Sequence, residues 1–325
     1  MVAVDRGRYT CFVNTPAGGH PVVAVRAREL GRRGVVVGDQ VRLVGDVSGD
    51  TDALARVVGI ADRVSVLTRT ADDDESTVEG RLERVVVANA EQLVIVSSLA
   101  DPPPRTGFID RCLVAAYDAG IDPLLCLTKA DLASPDAVLD YYSVLDLPHV
   151  LCRPDQPLTE LRQVLDGRLS VLVGHSGVGK STLVNRLVPD ADRVVGKVSA
   201  IGKGRHTSTS VVALPMPADP GTAGGRPAGR RRKDRDQAGY SWIIDTPGIR
   251  SFGLAHVSAD SLLHGFPDLV ESSTRCASNC PHTGVGGDCG LDALIAEGGA
   301  DPRRLASYRR LLALRAGTAD VLTDE

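Results

Sequence analysis

Residues 174–182 read GHSGVGKST, a glycine-rich stretch that predicts a phosphate-binding loop. It follows the apolar run LSVLVG (169–174) and precedes an amphipathic segment, so a buried strand would lead through a tight turn into a helix. Glycines permit a backbone approach that a β-carbon would forbid, and amides at a helix N-terminus point at phosphate oxygens. The residues expected to bind nucleotide are Gly174, His175, Ser176, Gly177, Val178, Gly179, Lys180, Ser181 and Thr182.

Two of these residues have distinct expected roles. Lys180 is expected to reach the β- and γ-phosphates, and the Ser181 hydroxyl is expected to bind Mg²⁺. Correct strand and helix patterns on both sides make a chance match to the loop pattern a poor explanation.

A second stretch, TKAD at 128–131, ends the apolar run PLLCLTKAD and predicts a reader of guanine. The Asp131 carboxylate can accept hydrogen bonds from guanine N1–H and the 2-amino group, which adenine does not offer, while the Lys129 stem lies along the base. Alone, TKAD is weak evidence, because a strand-end turn with a helix cap would also explain it. Thr128, Lys129, Ala130 and Asp131 are the residues expected to contact the base.

A third stretch, SWIIDTPGIRSFG (241–253), reads as a strand followed by a phosphate sensor. Asp245 at the strand tip would hold Mg²⁺ through water, and the Gly248 amide would meet the γ-phosphate. Ile249 follows that glycine where many GTPases carry a glutamine. A hydrocarbon side chain cannot orient the attacking water, so another group or a partner must do so.

The polar segment GKGRHTSTS (202–210) is expected to be a mobile switch between the phosphate loop and the sensor. Thr207 would complete the magnesium shell, and His206 is the candidate catalytic group. The alternative for His206 is a purely structural role in packing or hydrogen bonding.

The motifs occur in the order base reader, phosphate loop, switch, sensor. Ordinary GTPases run phosphate loop, switch, sensor, base reader. A circular permutation converts one order into the other without moving any strand, because domain termini lie at the surface and can be rejoined there. All three motifs also follow predicted strands, at the strand ends where open α/β sheets bind ligands. The sequence therefore predicts a circularly permuted P-loop GTPase domain.

The chain is expected to be multidomain. Acidic residues at 71–76 look like a linker, after which strand and helix patterns alternate as in a parallel sheet covered on both faces. The predicted division is an OB-type β-barrel at 1–70, the α/β GTPase domain at 71–255 and a zinc-binding helical domain at 256–325. The barrel is predicted from short β-rich runs at 9–13, 21–27, 39–44, 53–60 and 64–68.

A cysteine cluster near the C-terminus predicts a metal site. Cys276, Cys280, His282 and Cys289 lie within a 14-residue stretch, and Cys₃His is a tetrahedral set typical of structural zinc. Zinc contributes roughly 10 to 16 kcal/mol in zinc-finger peptides, so a small domain could fold around the ion. The alternative is unrelated thiols near a histidine. The other cysteines are expected to be core or surface thiols: Cys11, Cys112, Cys126 and Cys152.

Composition limits the class of protein. The 325 residues are 43% hydrophobic and 24% charged, with a net charge of −4, which argues against an overall basic nucleic-acid coat. The sequence shows no secretion signal, and its apolar runs are much shorter than the roughly 18 residues that a membrane span needs. We therefore expect a cytoplasmic protein without membrane association. The basic run 230–233 lies in the Pro/Gly-rich segment 215–239, which predicts a disordered loop insertion, with an RNA-contacting arm as the alternative. A monomer is the simplest expectation.

In order and spacing these motifs resemble the circularly permuted ribosome small-subunit-dependent GTPase A family, known as RsgA or YjeQ. The resemblance extends over nearly the whole chain, through VVGDQV, VVVANAEQLVIV, TKAD, GHSGVGKST, GKGRHTST, DTPG and the cysteine/histidine tail. It implies binding of GTP and GDP with Mg²⁺, one structural Zn²⁺ per chain, and action on the small (30S) ribosomal subunit and its rRNA in late maturation. The family's GxHTxT pattern also points to His206.

The base site departs from the family pattern at two places. Thr128 stands where an asparagine often precedes the lysine, and its shorter side chain is expected to support the loop less well. The usual serine-bearing base loop is replaced by Leu151, Cys152 and Arg153, which leaves recognition of guanine O6 open. Two other functions remain as alternatives: a P-loop phosphotransferase acting on a small metabolite, and a nonhydrolysing RNA-binding module that uses GTP structurally.

Overall fold

The structure is a computed structural model. It describes residues 1–5, 7–15, 18–30, 34–50, 52–70, 83–189, 211–217, 241–246, 252, 254, 257–278, 280–284 and 289–315. His206, Thr207 and Gly248 lie outside these residues, so their expected roles stay predictions. None of the helices it describes is long and apolar enough to cross a membrane.

A mainly parallel sheet forms the centre of the molecule. Its strands are β8 (Gln92–Ser98), β9 (Asp122–Thr128), β10 (His149–Leu151), β11 (Leu169–Val173), β12 (Val212–Met216) and β13 (Ser241–Asp245). They lie in the order β10-β9-β8-β11-β13-β12, and every neighbouring pair is parallel except β12 with β13. β8 is buried along its whole length, as expected of a strand covered on both faces. The predicted parallel sheet is therefore confirmed.

Helices cover the two faces of this sheet. α1 (Thr106–Asp118) and α2 (Asp136–Tyr142) pack on one face, and α3 (Thr159–Leu165) and α4 (Lys180–Leu187) pack on the other. Alternate residues of β8 serve the two cores: Leu93 and Ile95 face α1, whereas Val94 and Val96 face α3 and α4. A one-residue slip would exchange these faces, so the packing fixes the register.

The N-terminal strands continue the same sheet. They are β1 (Ala3–Asp5), β2 (Arg8–Thr15), β3 (Gly18–Arg26), β4 (Val41–Gly45) and β5 (Ala55–Ile60), in the order β1-β2-β3-β5-β4. β3 and β5 are parallel, and β1 pairs with β12 through Ala3 and Val212. β6 (Val66–Thr70) and β7 (Glu83–Ala88) form a separate antiparallel pair. Each of the predicted β-rich runs overlaps a strand.

One boundary of the predicted loop insertion is wrong. Pro215 and Met216 belong to β12, where they pair with Trp242 and Ser241 of β13. A proline is compatible with this position because the described contact between β12 and β1 lies at Val212, so Pro215 needs no second ladder partner. Residues 218–239 of the insertion lie outside the described ranges.

The C-terminal helices pack against the α1 side of the sheet. They are α5 (Ala259–Leu262), α6 (Pro267–Ser273), α7 (Gly290–Ala296) and α8 (Pro302–Arg315). Phe266 is fully buried, and its ring centroid lies 6.1 Å from that of Tyr117 in α1. From α8, the Arg310 guanidinium lies 4.5 Å above the Tyr141 ring and 3.3 Å from the buried Asp110 carboxylate. The helices thus share a hydrophobic core with the central sheet.

Candidate nucleotide site and metal cluster

Three of the sequence motifs meet at one edge of the sheet. TKAD follows β9, the glycine-rich loop follows β11, and Asp245 ends β13. Because β9, β8, β11 and β13 are parallel neighbours, their carboxyl ends lie on the same side. This is the edge at which open α/β sheets bind ligands.

The glycine-rich loop has the close backbone packing that its sequence predicts. A β-carbon on Gly174 would lie 2.7 Å from the Val96 carbonyl oxygen, so only glycine fits there. Gly179 has a φ of +89°, and α4 begins at the next residue, Lys180. Backbone N–H groups at the start of α4 lack intrahelical partners and can bind an anion. The local geometry therefore suits a phosphate group.

Thr128 connects the base reader to the phosphate loop. Its buried hydroxyl donates a 2.6 Å hydrogen bond to the Val178 carbonyl. The short side chain reaches because the loop comes close: a β-carbon on Gly179 would lie 3.7 Å from the Thr128 hydroxyl oxygen. A threonine at this position therefore holds the two loops together despite its length.

The rest of TKAD lies beside the segment that follows β10. Lys129 has a φ of +55°, and its ammonium donates to the Asp101 carbonyl beyond the end of β8. The Ala130 N–H points at the Cys152 carbonyl, 3.4 Å away, and the Cys152 N–H donates to the Leu127 carbonyl at 2.7 Å. Asp131 is exposed at the same edge, where its carboxylate is available to a base.

The phosphate loop and the sensor strand are joined by an ion pair. The Lys180 ammonium contacts the Asp245 carboxylate, with the two side chains 11% and 20% exposed. Thr246 is buried and donates a 2.7 Å hydrogen bond to the Leu172 carbonyl of β11. Asp245 and the exposed Ser181 supply the carboxylate and hydroxyl oxygens that Mg²⁺ accepts, so the residues present fit a magnesium ion.

Sequence reasoning missed two residues of this site. Phe108 of α1 packs against the His175 ring of the phosphate loop, with centroids 4.2 Å apart. The backbone carbonyl of Asp101 accepts a hydrogen bond from the Lys129 ammonium. Asp101 could have been found, because it follows a parallel strand and so lies at the ligand-binding edge. The sequence around Phe108 does not predict its contact with the phosphate loop, because an aromatic residue in a helix is usually part of the hydrophobic core.

The four predicted zinc ligands are brought together. The ligand atoms of Cys276, Cys280, His282 and Cys289 all lie within 4.8 Å of one another. The Cys276 and Cys289 sulfurs are 3.9 Å apart, close to the roughly 3.8 Å that tetrahedral Zn–S bonds of about 2.3 Å require. The imidazole Nδ1 of His282 lies 3.5 Å and 3.7 Å from these sulfurs. The cluster could therefore hold a metal ion.

Surrounding groups hold the ligands in place. The Gly290 N–H donates to the Cys276 sulfur at 3.1 Å. From α8, Arg309 donates to the His282 carbonyl at 2.9 Å and forms a bidentate pair with Asp292 at 2.8 Å. Burial raises the pKa of the Cys276 thiol, and a bound dication would stabilise its thiolate. Such outer contacts orient metal ligands.

Comparisons with known sequences find one family. The family model described as RsgA GTPase matches residues 60–223. A protein of Pseudomonas aeruginosa (strain LESB58) named small ribosomal subunit biogenesis GTPase RsgA is 39% identical over 265 residues, which cover 78% of this chain and 71% of that protein. An Azotobacter vinelandii protein of the same name is 39% identical over 260 residues, covering 77% and 69%.

Solved structures share the fold at lower identity. YjeQ from Thermotoga maritima aligns with a TM-score of 0.64 and 22% identity, covering 97% of both chains. YloQ, described as a circularly permuted GTPase, aligns with a TM-score of 0.62 and 20% identity, covering 98% of this chain and 95% of that one. These matches confirm the permuted GTPase fold that the motif order predicts.

The contact between Thr128 and Val178 can be tested by substitution. Thr128→Val keeps the volume but leaves the buried Val178 carbonyl without its donor, so the free energy of unfolding should fall by about 1 to 3 kcal/mol. GTP binding should also weaken, because the two loops are no longer joined. Thr128→Ser retains the hydroxyl and is the matched control. Urea denaturation and GTP titration measure both effects; a valine variant as stable as the parent would contradict this role.

Proposed function

This chain belongs to the RsgA GTPase family, and from that premise we propose that it hydrolyses GTP to GDP and phosphate during maturation of the small ribosomal subunit. The observation that carries this proposal is the meeting of three motifs at one sheet edge. Thr128 joins the base reader to the phosphate loop, and Lys180 joins that loop to Asp245. A phosphate-binding loop alone would also fit a kinase, whereas the adjoining base reader and sensor favour a GTPase.

The residues have separate tasks in hydrolysis. Asp131 accepts hydrogen bonds from the guanine edge, and backbone N–H groups of 176–180 with Lys180 hold the phosphates. Ser181, Thr207 and Asp245 would hold magnesium, which would supply positive charge to offset the negative charge that develops on the phosphate groups. The Gly248 amide meets the γ-phosphate. The site thereby stabilises the transition state mainly through fixed charges and dipoles.

His206 orients the attacking water in this proposal, because Ile249 cannot. His206→Ala should then reduce subunit-stimulated turnover by about 10²-fold or more, while GTP affinity stays within about twofold of the parent. Single-turnover phosphate release and GTP titration separate the two quantities. His149→Ala, which changes an exposed histidine on β10, is the control and should leave both unchanged. Equal stimulated rates for the His206 variant and the parent would remove His206 from the mechanism.

The N-terminal strands and the C-terminal helices are the proposed ribosome-binding parts. The strand order β1-β2-β3-β5-β4 supports an OB-type domain at 1–70, a fold used to bind oligonucleotides. The GTPase domain then occupies 71–255 and the zinc domain 256–325. β7, which lies in the proposed GTPase domain, pairs with β6 of the OB-type domain across the boundary between them. Small-subunit rRNA is the proposed partner, and the protein acts as a monomer in the cytoplasm.

One assay separates this function from the alternatives. Phosphate release is measured from GTP and from ATP, each with and without purified small ribosomal subunits. We expect phosphate release from GTP and not from ATP. Small ribosomal subunits should accelerate this release, because binding of the partner completes the conformational switch. Phosphate transfer that needs a small metabolite would instead indicate a phosphotransferase. Binding of GTP without turnover under any condition would indicate a nonhydrolysing module.

Zinc is the proposed occupant of the cysteine cluster, since Cys₃His leaves no open position and suits a structural ion. Atomic emission should find about one zinc per chain. Cys276→Ser should lose the metal and lower the melting temperature of the C-terminal helices, because metal binding supplies folding free energy. Cys112→Ala, a buried thiol of α1 outside the cluster, should keep the metal. Full zinc content in the Cys276 variant would exclude this ligand set.

A further inference from the structure

The segment that follows β10 lies beside the TKAD loop. It spans residues 152–158, and its first residue is bonded to both sides of the TKAD loop: the Cys152 N–H donates to Leu127 and its carbonyl faces the Ala130 N–H. Cys152 and Leu158 are buried at the two ends, whereas residues 153–157 between them are exposed. The exposed part needs a separate support if it is to present fixed groups to a ligand.

A side chain of the phosphate-loop helix supplies that support. The Arg186 guanidinium of α4 donates to the Arg153 carbonyl at 3.0 Å and also to the Gln156 carbonyl. One side chain therefore binds two backbone carbonyls of the segment 153–157. The planar fork of arginine can hold two carbonyls in one geometry, which a lysine ammonium does not do.

Two prolines determine which backbone groups of the segment can donate hydrogen bonds. Pro154 and Pro157 follow the two carbonyls that Arg186 binds, so both peptide groups accept hydrogen bonds but have no N–H. The N–H donors left in the segment are those of Arg153 and Asp155, because the turn at 154–155 directs the Gln156 N–H toward the Arg153 carbonyl. Holding the acceptor-only peptides against α4 leaves these donors to bind a ligand.

A second arginine caps the carboxyl end of α4. Arg162 of α3 donates to the Arg186 and Leu187 carbonyls, each at 2.9 Å, which satisfies the carboxyl end of α4. The helix that begins at the phosphates therefore ends in a contact with the segment beside the base.

We propose that Arg186 is a positioning residue for guanine: it orients segment 153–157 so that a backbone N–H of that segment donates to the purine O6. The inference rests on the proposed GTP-binding function. Guanine carries an acceptor at position 6, and adenine carries an amino donor there, so a fixed N–H favours guanine and rejects adenine.

The test compares three nucleotides on the full-length protein. Dissociation constants for GTP, ITP and ATP are measured for the parent and for Arg186→Gln. Inosine keeps O6 and N1–H but lacks the 2-amino group, so it reports on O6 separately from part of the Asp131 contact. GTP and ITP should each bind about tenfold more weakly to the variant, and ATP should change by less than about twofold.

Two further variants keep the test decisive. Arg162→Gln removes the contact with the end of α4 and should lower the melting temperature while leaving the GTP-to-ATP affinity ratio unchanged. Arg186→Lys keeps the charge without the fork and should lower that ratio at least about threefold, even if the glutamine variant does not fold. An unchanged ratio in Arg186→Lys, or equal losses for GTP and ATP in Arg186→Gln, overturns the proposal.

The same measurements distinguish a failure of guanine recognition from a failure of the positioning role of Arg186. A parent protein that binds GTP and ATP equally well would contradict the proposed guanine recognition, whatever Arg186 does. A parent that prefers GTP, together with an Arg186→Gln variant that prefers it equally, would contradict only the positioning role.

Discussion

The hydrogen bond from the Thr128 hydroxyl to the Val178 carbonyl joins two loops that are 50 residues apart in the sequence. One loop is the proposed purine reader and the other the proposed phosphate binder, so their separation sets the distance between the two ends of a nucleotide bound there. The bond is buried, and breaking it would leave a carbonyl without a partner in the core of the site. The parallel strands beneath place the loops at one edge, and this contact fixes their spacing.

The altered motif order has little effect on the site because the sheet, rather than the chain path, decides which strand ends are neighbours. β9 precedes β11 in the chain, yet β8 lies between them in space, and β13 completes the same edge. Permutation changes which loops connect the strands and leaves the strand pairing intact. The groups at the strand ends are therefore the same in either order.

Helix α1 links the two halves of the molecule. Its Phe108 packs on His175 in the phosphate loop, while its Tyr117 and Asp110 contact Phe266 and Arg310 of the C-terminal region. Burial raises the pKa of the Asp110 carboxyl, and the nearby Arg310 guanidinium opposes that rise. The C-terminal helices are thus held to α1 by a shared core and a largely desolvated ion pair.

The sequence by itself predicted the phosphate loop, the base reader, the sensor strand and the cysteine/histidine cluster, because each is a short pattern whose chemistry depends on adjacent residues. The alternation of strands and helices likewise predicted the parallel sheet. Tertiary structure alone decided that Thr128 suffices to hold the loops, that Pro215 lies in a strand and that Arg186 reaches the segment beside the base. These facts depend on which distant carbonyls and strands come within hydrogen-bonding reach, and local sequence patterns carry no information about such distances.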